Sequence, residues 1–173
     1  MTVSLRDARH SPAERAWIAR VYPEYLDELA VLTAATTGLF PVNGDYGLRT
    51  PELLLRWFRD ERTHPLVILQ GGQPVGFALV AWPLTATPTS QPSSYELAEF
   101  FIRRAYRRRG VGALAAALIF RRFAGDWRVQ EAQRNQSAVA FWRRVIAEYT
   151  QGQYTERLVD GEVRHTFRTP ERT

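Results

Sequence analysis

Residues 97–120, LAEFFIRRAYRRRGVGALAAALIF, decide the fold of this chain. The aromatic and aliphatic residues up to Ile102 predict a strand, and the Ala/Leu-rich run from Val111 to about Phe123 predicts a helix. A short arginine-rich loop with a glycine connects the two elements. Helix N-termini present unpaired backbone N–H groups and a partial positive charge, so this strand–loop–helix unit predicts a pyrophosphate site where the helix begins.

The loop residues have the chemistry that such a site needs. Gly110 and Gly112 lack a Cβ that would block the approach of a ligand, and Arg107, Arg108 and Arg109 can supply charge-assisted hydrogen bonds. The dinucleotide-binding fingerprint fits poorly, because leucine and alanine follow where its third glycine should stand. Taken without family knowledge, these residues are equally compatible with an exposed arginine turn.

Outward from this unit, the periodicity of the apolar residues predicts the order β-α-α-β-β-β-α-β-α-β-β, which is an α/β fold around one sheet. Gly71-Gly72 and Asp160-Gly161 mark the turns of two β-hairpins. Residues 11–14, SPAE, predict the start of the first helix, which Pro23 could interrupt.

Three further segments connect these elements. Residues 36–48 and 85–94 are rich in glycine, proline, serine and threonine, so each predicts a loop. Thr50 and Pro51 predict the start of the second helix.

Length and composition predict one domain over residues 1–173 and exclude several chemistries. The chain has no cysteine and no lysine, and all 23 of its basic side chains are arginine. Disulfides, cysteine nucleophiles, zinc–thiolate sites, Schiff-base chemistry and Walker-type phosphate binding are therefore excluded. The three histidines lack metal-ligand spacing, so no metal site is expected. No stretch is apolar enough for a membrane span or a secretory signal, so we expect a cytoplasmic protein.

The arginines are concentrated in one quarter of the chain. Residues 101–144 carry eleven arginines against two acidic residues, a net charge of +9, whereas the remainder is net negative. Such a field suggests an anionic partner, although a solvated helix face in an arginine-biased chain would look the same. We expect no membrane partner and no nucleic acid, because no RRM, KH or helix-turn-helix pattern accompanies the charge.

The sequence resembles the GNAT superfamily of N-acetyltransferases. The likeness rests on the family's central signature, Arg/Gln-x-x-Gly-x-Gly/Ala, which Arg107, Gly110 and Gly112 match. Downstream, the family commonly shows Asn-x-x-Ala followed by an aromatic residue. The residues at that spacing are Asn135, Ala138 and Trp142.

The likeness covers about residues 65–150. It extends to a bacterial branch of the superfamily that shares the segments AEFF, RRxGVG and FWRRVIAEYT, and it fixes no substrate.

The resemblance implies a mixed, mostly antiparallel sheet of six to seven strands that splays in the middle, with helices on both faces. Acetyl-CoA would lie in the cleft between the strand at 95–102 and the strand at 127–131. Backbone groups of Phe101, Ile102 and Arg103 would pair with its pantetheine arm. Asn135 would contact the pantetheine or adenosine arm. Backbone amides of seven consecutive residues would bind the pyrophosphate: Arg107, Arg108, Arg109, Gly110, Val111, Gly112 and Ala113.

The resemblance also implies the reaction, transfer of an acetyl group to a primary amine of a small molecule or peptide by direct attack in a ternary complex. The amine must lose a proton, and Glu99 is the candidate base because apolar surroundings make a carboxylate more basic. A structural hydrogen bond from Glu99 to the N-terminal region is the competing interpretation. Glu96 is out of phase with Glu99 along the strand, so alternation predicts that it faces the other side of the sheet.

The candidate general acid departs from the family pattern. The family commonly has a tyrosine near the sulfur, seven residues after the asparagine, and Trp142 occupies that position here. Indole N–H is not a practical proton donor to a thiolate, so Tyr149, two helical turns further on, is the candidate acid, and a place in the core is the alternative. Because Trp142 replaces the tyrosine, an alternative interpretation is that the protein is a non-catalytic module that binds acyl-CoA.

The resemblance places the acceptor pocket between the two N-terminal helices and the loop at 36–48. Asp45 and the two strand glutamates would attract a cationic amine there. A homodimer is left open.

Overall fold

The computed structural model describes residues 1–34, 53–82 and 94–170. These residues form a seven-stranded sheet in the order β1-β2-β3-β4-β5-β7-β6, with four α-helices. The strands are β1 (Val3–Asp7), β2 (Thr63–Gln70), β3 (Gln73–Ala81), β4 (Ser94–Ile102), β5 (Asp126–Ala132), β6 (Thr155–Val159) and β7 (Glu162–Arg168). The helices are α1 (Pro12–Ala34), α2 (Leu53–Arg59), α3 (Val111–Arg122) and α4 (Gln136–Thr150), and a 3-10 turn covers Arg104–Tyr106.

The sheet consists of two antiparallel halves joined by one parallel pair. Strands β1 to β4 pair antiparallel in sequence order, and β5, β7 and β6 form a second antiparallel group. Between the halves, β4 and β5 run parallel and pair only from Ser94 opposite Asp126 to Leu97 opposite Val129. The junction is therefore much shorter than either strand.

Each face of the sheet has its own core. On the α1 face, Ile18 of α1 and Trp57 of α2 pack with Phe77 of β3. On the α3 face, Ile119 of α3 and Ile146 of α4 pack with apolar side chains of β2 to β5 and β7. Helices on both faces and a mixed, mostly antiparallel sheet confirm the predicted fold class.

The predicted order of elements is confirmed in full, and local signals act where the sequence places them. Ser11 Oγ donates to the Glu14 carboxylate at the start of α1, the two side chains of the predicted capping box. Asp160 and Gly161 have φ of +51° and +79°, the left-handed pair that a two-residue hairpin turn needs. Helix α1, however, continues through Pro23, so the predicted interruption is wrong.

Some predictions fall on residues outside the described ranges. These are the loop at 36–48, the helix start at Thr50 and Pro51, Asp45, and nearly all of the loop at 85–94. Among the described residues, no helix combines the length and the apolarity that a membrane crossing requires.

Candidate active site

The site is built around the point where β4 leaves β5. Pairing between them ends at Leu97 and Val129, although β4 continues to Ile102 and β5 to Ala132. On its other edge β4 stays paired with β3, and a bulge lies there because Leu79 opposes Glu99 while Val80 opposes Leu97. Ala98 is the extra residue. The sheet thus opens beside residues 98–102, as the resemblance implies.

The bulge changes which way the two glutamates of β4 face. Tyr95 and Leu97 belong to the core under α3, whereas Ala98 and Phe101 pack in the core under α1. Glu96, next to Leu97, and Glu99, two residues before Phe101, therefore both point to the α1 face. The prediction that Glu96 faces the other side is wrong, because a bulge shifts the alternation by one residue.

Glu96 is already neutralised on that face by the neighbouring strand. Its carboxylate accepts from Arg128 Nη2 at 2.6 Å and from Gln130 Nε2 at 3.2 Å. Of the two glutamates of β4, Glu96 is thus the one whose carboxylate is bound by side chains of β5.

Glu99 is buried at the opening, with 5% of its surface exposed. The hydroxyl of Tyr25, on α1, donates a hydrogen bond to Glu99 Oε2. The structural hydrogen bond to the N-terminal region that the sequence suggested therefore exists. It does not conflict with a role as base, because a carboxylate offers about four acceptor positions over two oxygens.

Backbone direction along β4 decides which groups line the opening. The N–H of Arg103 donates to Val75 O at 2.9 Å, so Arg103 is bound toward β3. Antiparallel ladders alternate, so Phe101 also faces β3, whereas the N–H groups of Phe100 and Ile102 point into the opening. Of the predicted pantetheine contacts, the one at Ile102 is compatible with this geometry and stays a prediction, whereas Phe101 and Arg103 are directed toward β3. The sequence analysis missed Phe100, since only the register reveals it.

The loop after β4 presents a row of backbone donors. Arg108 and Gly110 have φ of +60° and +79°, and Gly110 is the residue that precedes α3. The first bond into α3 runs from Leu114 N–H to Gly110 O at 3.1 Å. Within the described residues, no acceptor pairs with the N–H groups from Arg108 to Ala113. Unpaired donors at a helix N-terminus are what a pyrophosphate needs, so these residues fit the group.

The arginines of this loop divide into two kinds. Arg107 is a structural residue: its N–H donates to Arg104 O at 3.2 Å, its Nε donates to Ile102 O at 2.6 Å, and its Nη2 donates to both Glu28 oxygens at 2.9 and 2.7 Å. The backbone amide and the side chain of Arg107 thus both have partners within the protein. We therefore remove Arg107 from the predicted pyrophosphate contacts. Arg108 and Arg109 are exposed and suited to that role.

Gly112 meets a side chain of α4 rather than open space. A Cβ at Gly112 would lie 3.2 Å from Phe141 Cζ and 3.7 Å from Phe100 Cε1. The ring of Phe100 lies 6.1 Å from that of Phe141 and 5.0 Å from that of Trp142, between centroids. The glycine therefore allows α3 to approach this aromatic cluster, whereas the sequence suggested only room for a ligand.

The start of α4 holds the predicted asparagine. Asn135 is the N-cap, and its Oδ1 accepts from Ala138 N–H at 3.3 Å. The amide nitrogen of Asn135 takes no part in that bond, so a contact with the pantetheine or adenosine arm stays a prediction. Trp142 is 4% exposed and packs against Phe100, the residue whose N–H points into the opening.

Tyr149 does not share this environment. Its ring lies 5.2 Å from that of Phe120 and 6.5 Å from that of Phe167, in the core beneath the paired end of β4. Burial raises its pKa. Seven helical residues separate it from Trp142, a rise of about 10 Å. The structure thus supports the core alternative for Tyr149 and not the general acid, which corrects the sequence-based assignment.

Two surface cavities lie away from the opening. One, of about 730 Å³, includes Ser94 and Asp126 at the paired end of β4 and β5. The other, of about 810 Å³, lies along β1 and the C-terminal end of α3. The candidate site is identified from the backbone of β4 beyond Leu97 and from the start of α3, and neither of these lines the two cavities.

Comparison with solved structures identifies this architecture. An acetyltransferase from Thermus thermophilus superposes with a TM-score of 0.65 at 18% identity, and 97% of each chain is covered. The GNAT domain of PAT from S. lividans has a TM-score of 0.62 at 20% identity, over 97% of this chain and 91% of that one. The PaiA N-acetyltransferase from Thermoplasma acidophilum, in complex with coenzyme A, has a TM-score of 0.55 at 13% identity, over 97% and 99%. The class is thus an α/β protein with an acetyltransferase fold.

The family follows from the sequence itself. Residues 9–146 match the profile of the acetyltransferase (GNAT) family, so the chain belongs to that family. It is an acetyl-CoA-dependent N-acetyltransferase, as the resemblance implied. A search of curated proteins finds no match.

Proposed function

We propose that this enzyme transfers the acetyl group of acetyl-CoA to a primary amine of a small molecule or peptide by direct attack in a ternary complex. The observation that carries the proposal is the row of N–H groups from Arg108 to Ala113 that have no acceptor among the described residues, directly after the part of β4 that β5 does not pair with. A strand edge and a helix N-terminus in series match a thioester arm that ends in a pyrophosphate.

The cosubstrate would be held mainly by backbone. N–H groups between Arg108 and Ala113 would bind the pyrophosphate, with Arg108 and Arg109 adding charge. The pantetheine arm would extend along β4 toward Phe100 and Ile102, where a strand partner is missing. Acetyl-CoA supplies the activated acyl carbon.

In the proposed reaction, Glu99 acts as the base and a backbone N–H of β4 stabilises the oxyanion. The protonated acceptor amine gives a proton to Glu99, and the neutral nitrogen then attacks the thioester carbonyl. The N–H of Phe100 or Ile102 stabilises the oxygen that becomes negative. The C–N bond forms, the C–S bond breaks, and the second proton that the attacking nitrogen loses passes to the thiolate, which leaves as CoA. Glu99 and Phe100 are consecutive, so base and donor stand on one rigid segment.

The acceptor would approach from the α1 face, because the side chain of Glu99 points there. Glu96, Glu24 and Glu28 on that face are paired with Arg128, Arg103 and Arg107. Attraction of a cationic amine would therefore depend on Glu99 more than on a general acidic surface.

An acetyl-transfer assay over a broad amine panel, beside a calorimetric CoA titration, tests this function. We expect CoA binding and amide formation with at least one primary amine. Binding without turnover on any acceptor would favour the non-catalytic acyl-CoA-binding module. Failure to bind CoA would remove the pyrophosphate assignment altogether.

A further inference from the structure

Helix α1 touches the catalytic end of β4 through three polar side chains. Glu24 accepts from Arg103 Nε at 3.1 Å, Glu28 accepts from Arg107, and Tyr25, between them, donates to Glu99. The two ion pairs bracket the tyrosine and hold the helix against β4 and its loop. We propose that Tyr25 is a positioning residue for Glu99, an inference that rests on the function proposed above.

The phenol ring of Tyr25 is itself fixed by aromatic contacts. Its centroid lies 5.7 Å from that of Tyr22, 5.5 Å from that of Phe77 and 5.5 Å from that of Phe101. Tyr22 and Phe77 are fully buried and Phe101 is 3% exposed. A hydroxyl on a ring held at this many points has little freedom, so it sets the plane of the carboxylate that accepts from it.

The bond acts on catalysis through geometry. It fixes Oε2 toward α1, and thereby the orientation of the whole carboxylate relative to the opening. This effect acts through Glu99, so Tyr25 needs no contact with the substrate.

Tyr25→Phe tests the inference, since it removes the hydroxyl and keeps the ring in the aromatic cluster. We expect kcat to fall about tenfold and the KM for acetyl-CoA to stay within twofold, a split between kcat and KM that a general loss of structure would not give. Tyr95→Phe is the matched control, because Tyr95 is a buried tyrosine of β4, the strand that carries Glu99, and lies on the α3 face. It should leave kcat within twofold of the wild-type value.

A double-mutant cycle separates positioning from mere anchoring of α1. In a Glu99→Gln background, Tyr25→Phe should cost less than twofold in kcat, because the group through which it acts is gone. A lower melting temperature for Tyr25→Phe with an unchanged kcat per folded enzyme, or an equal loss of kcat in both backgrounds, would overturn the inference. A wild-type enzyme that acetylates no amine would instead overturn the proposed function, so the two failures are distinguishable.

Discussion

Strand β4 behaves differently over its two halves. From Ser94 to Leu97 it pairs with β5, Glu96 and Leu97 also pair with β3, and buried side chains alternate with partly exposed ones. From Ala98 to Ile102 it has lost β5, the alternation has shifted at the bulge, and its polar groups face α1 or the opening. One strand thus supplies a structural half and a chemical half.

The difference shows how one strand can serve both the stability of the sheet and the reaction. The half that pairs with β5 holds the two sheet halves together, and aromatic packing around Tyr95, Trp127 and Phe123 stabilises it. The half beyond Leu97 has backbone donors on the edge away from β3 that no strand among the described residues pairs with. Substitutions at the paired end should therefore change stability, and those at the open end should change turnover or CoA affinity.

The largest expected effect is that of Glu99→Gln at the open end. We expect kcat/KM to fall by about 10²–10³-fold, because general base catalysis commonly contributes that much. The loss should be greatest at low pH, where the acceptor amine is protonated, and should shrink as the pH approaches the pKa of the amine. Steady-state rates across pH check this, with calorimetry to confirm unchanged CoA affinity. Wild-type rates at every pH would dismiss Glu99 as the base.

The next effect distinguishes the loop arginines. The double variant Arg108→Ala/Arg109→Ala should weaken CoA binding by about tenfold with little change in melting temperature, because two exposed charge contacts are worth about 1 kcal/mol or slightly more together. Arg107→Ala should do the opposite and lower the melting temperature, because it breaks the bonds to Ile102 O and Glu28.

Calorimetry and thermal melts on both proteins make this comparison. If Arg107→Ala weakened CoA binding more than the double variant at unchanged stability, the division of the arginines would be wrong.

A smaller expected effect concerns the pH dependence of stability near the paired end of β4. His64 of β2 lies 5.0 Å from Phe123, between ring centroids, and Phe123 contacts Tyr95 of β4. Burial, aided by the charges of Arg9 and Arg122, lowers the pKa of His64 from 6.5 to about 4. Between those values the unfolded chain binds a proton that the native protein does not, so stability falls as the pH falls.

His64→Gln should flatten this dependence by on the order of 1 kcal/mol between pH 7 and 4.5, a figure discounted because solvent reaches part of the ring. Urea unfolding at both pH values measures it, and the exposed His10→Gln serves as the control. An equal slope in wild type and His64→Gln would contradict the assignment. Turnover relative to folded protein should not change.

The smallest expected effect is that of Tyr149→Phe. Its ring packs against the core beneath the paired end, away from the opening, so kcat/KM should stay within twofold of wild type. A tenfold loss in the same assay would restore Tyr149 as the general acid and break the division between the two ends of β4.

Local signals in the sequence were sufficient for much of the fold. Hairpin turns, the capping box at residues 11–14 and the strand–loop–helix unit depend on neighbours within a few positions, and all appear where expected. Their agreement with the family signature made the splayed sheet predictable as well.

The site was less predictable because it depends on long-range contacts and on register. The extra residue Ala98 puts Glu96 on the same face of the sheet as Glu99, and the hydrophobic pattern of the sequence does not predict this bulge. Arg107 is held by Glu28, which lies 79 positions away in the sequence. Glu99 accepts a hydrogen bond from Tyr25, which lies 74 positions away. The contact of the Tyr25 hydroxyl could not be predicted, since only the fold brings α1 beside β4.

The opening between β4 and β5 is, in effect, a sheet edge located in the interior of the sheet. Exposed edges invite pairing with other chains, and proteins commonly protect them by bulges, brevity and covering side chains. This one is only five residues long, begins at a bulge, and has Phe100, Phe141 and Trp142 beside it. The same features that leave the strand available to a small molecule therefore make it a poor template for aggregation.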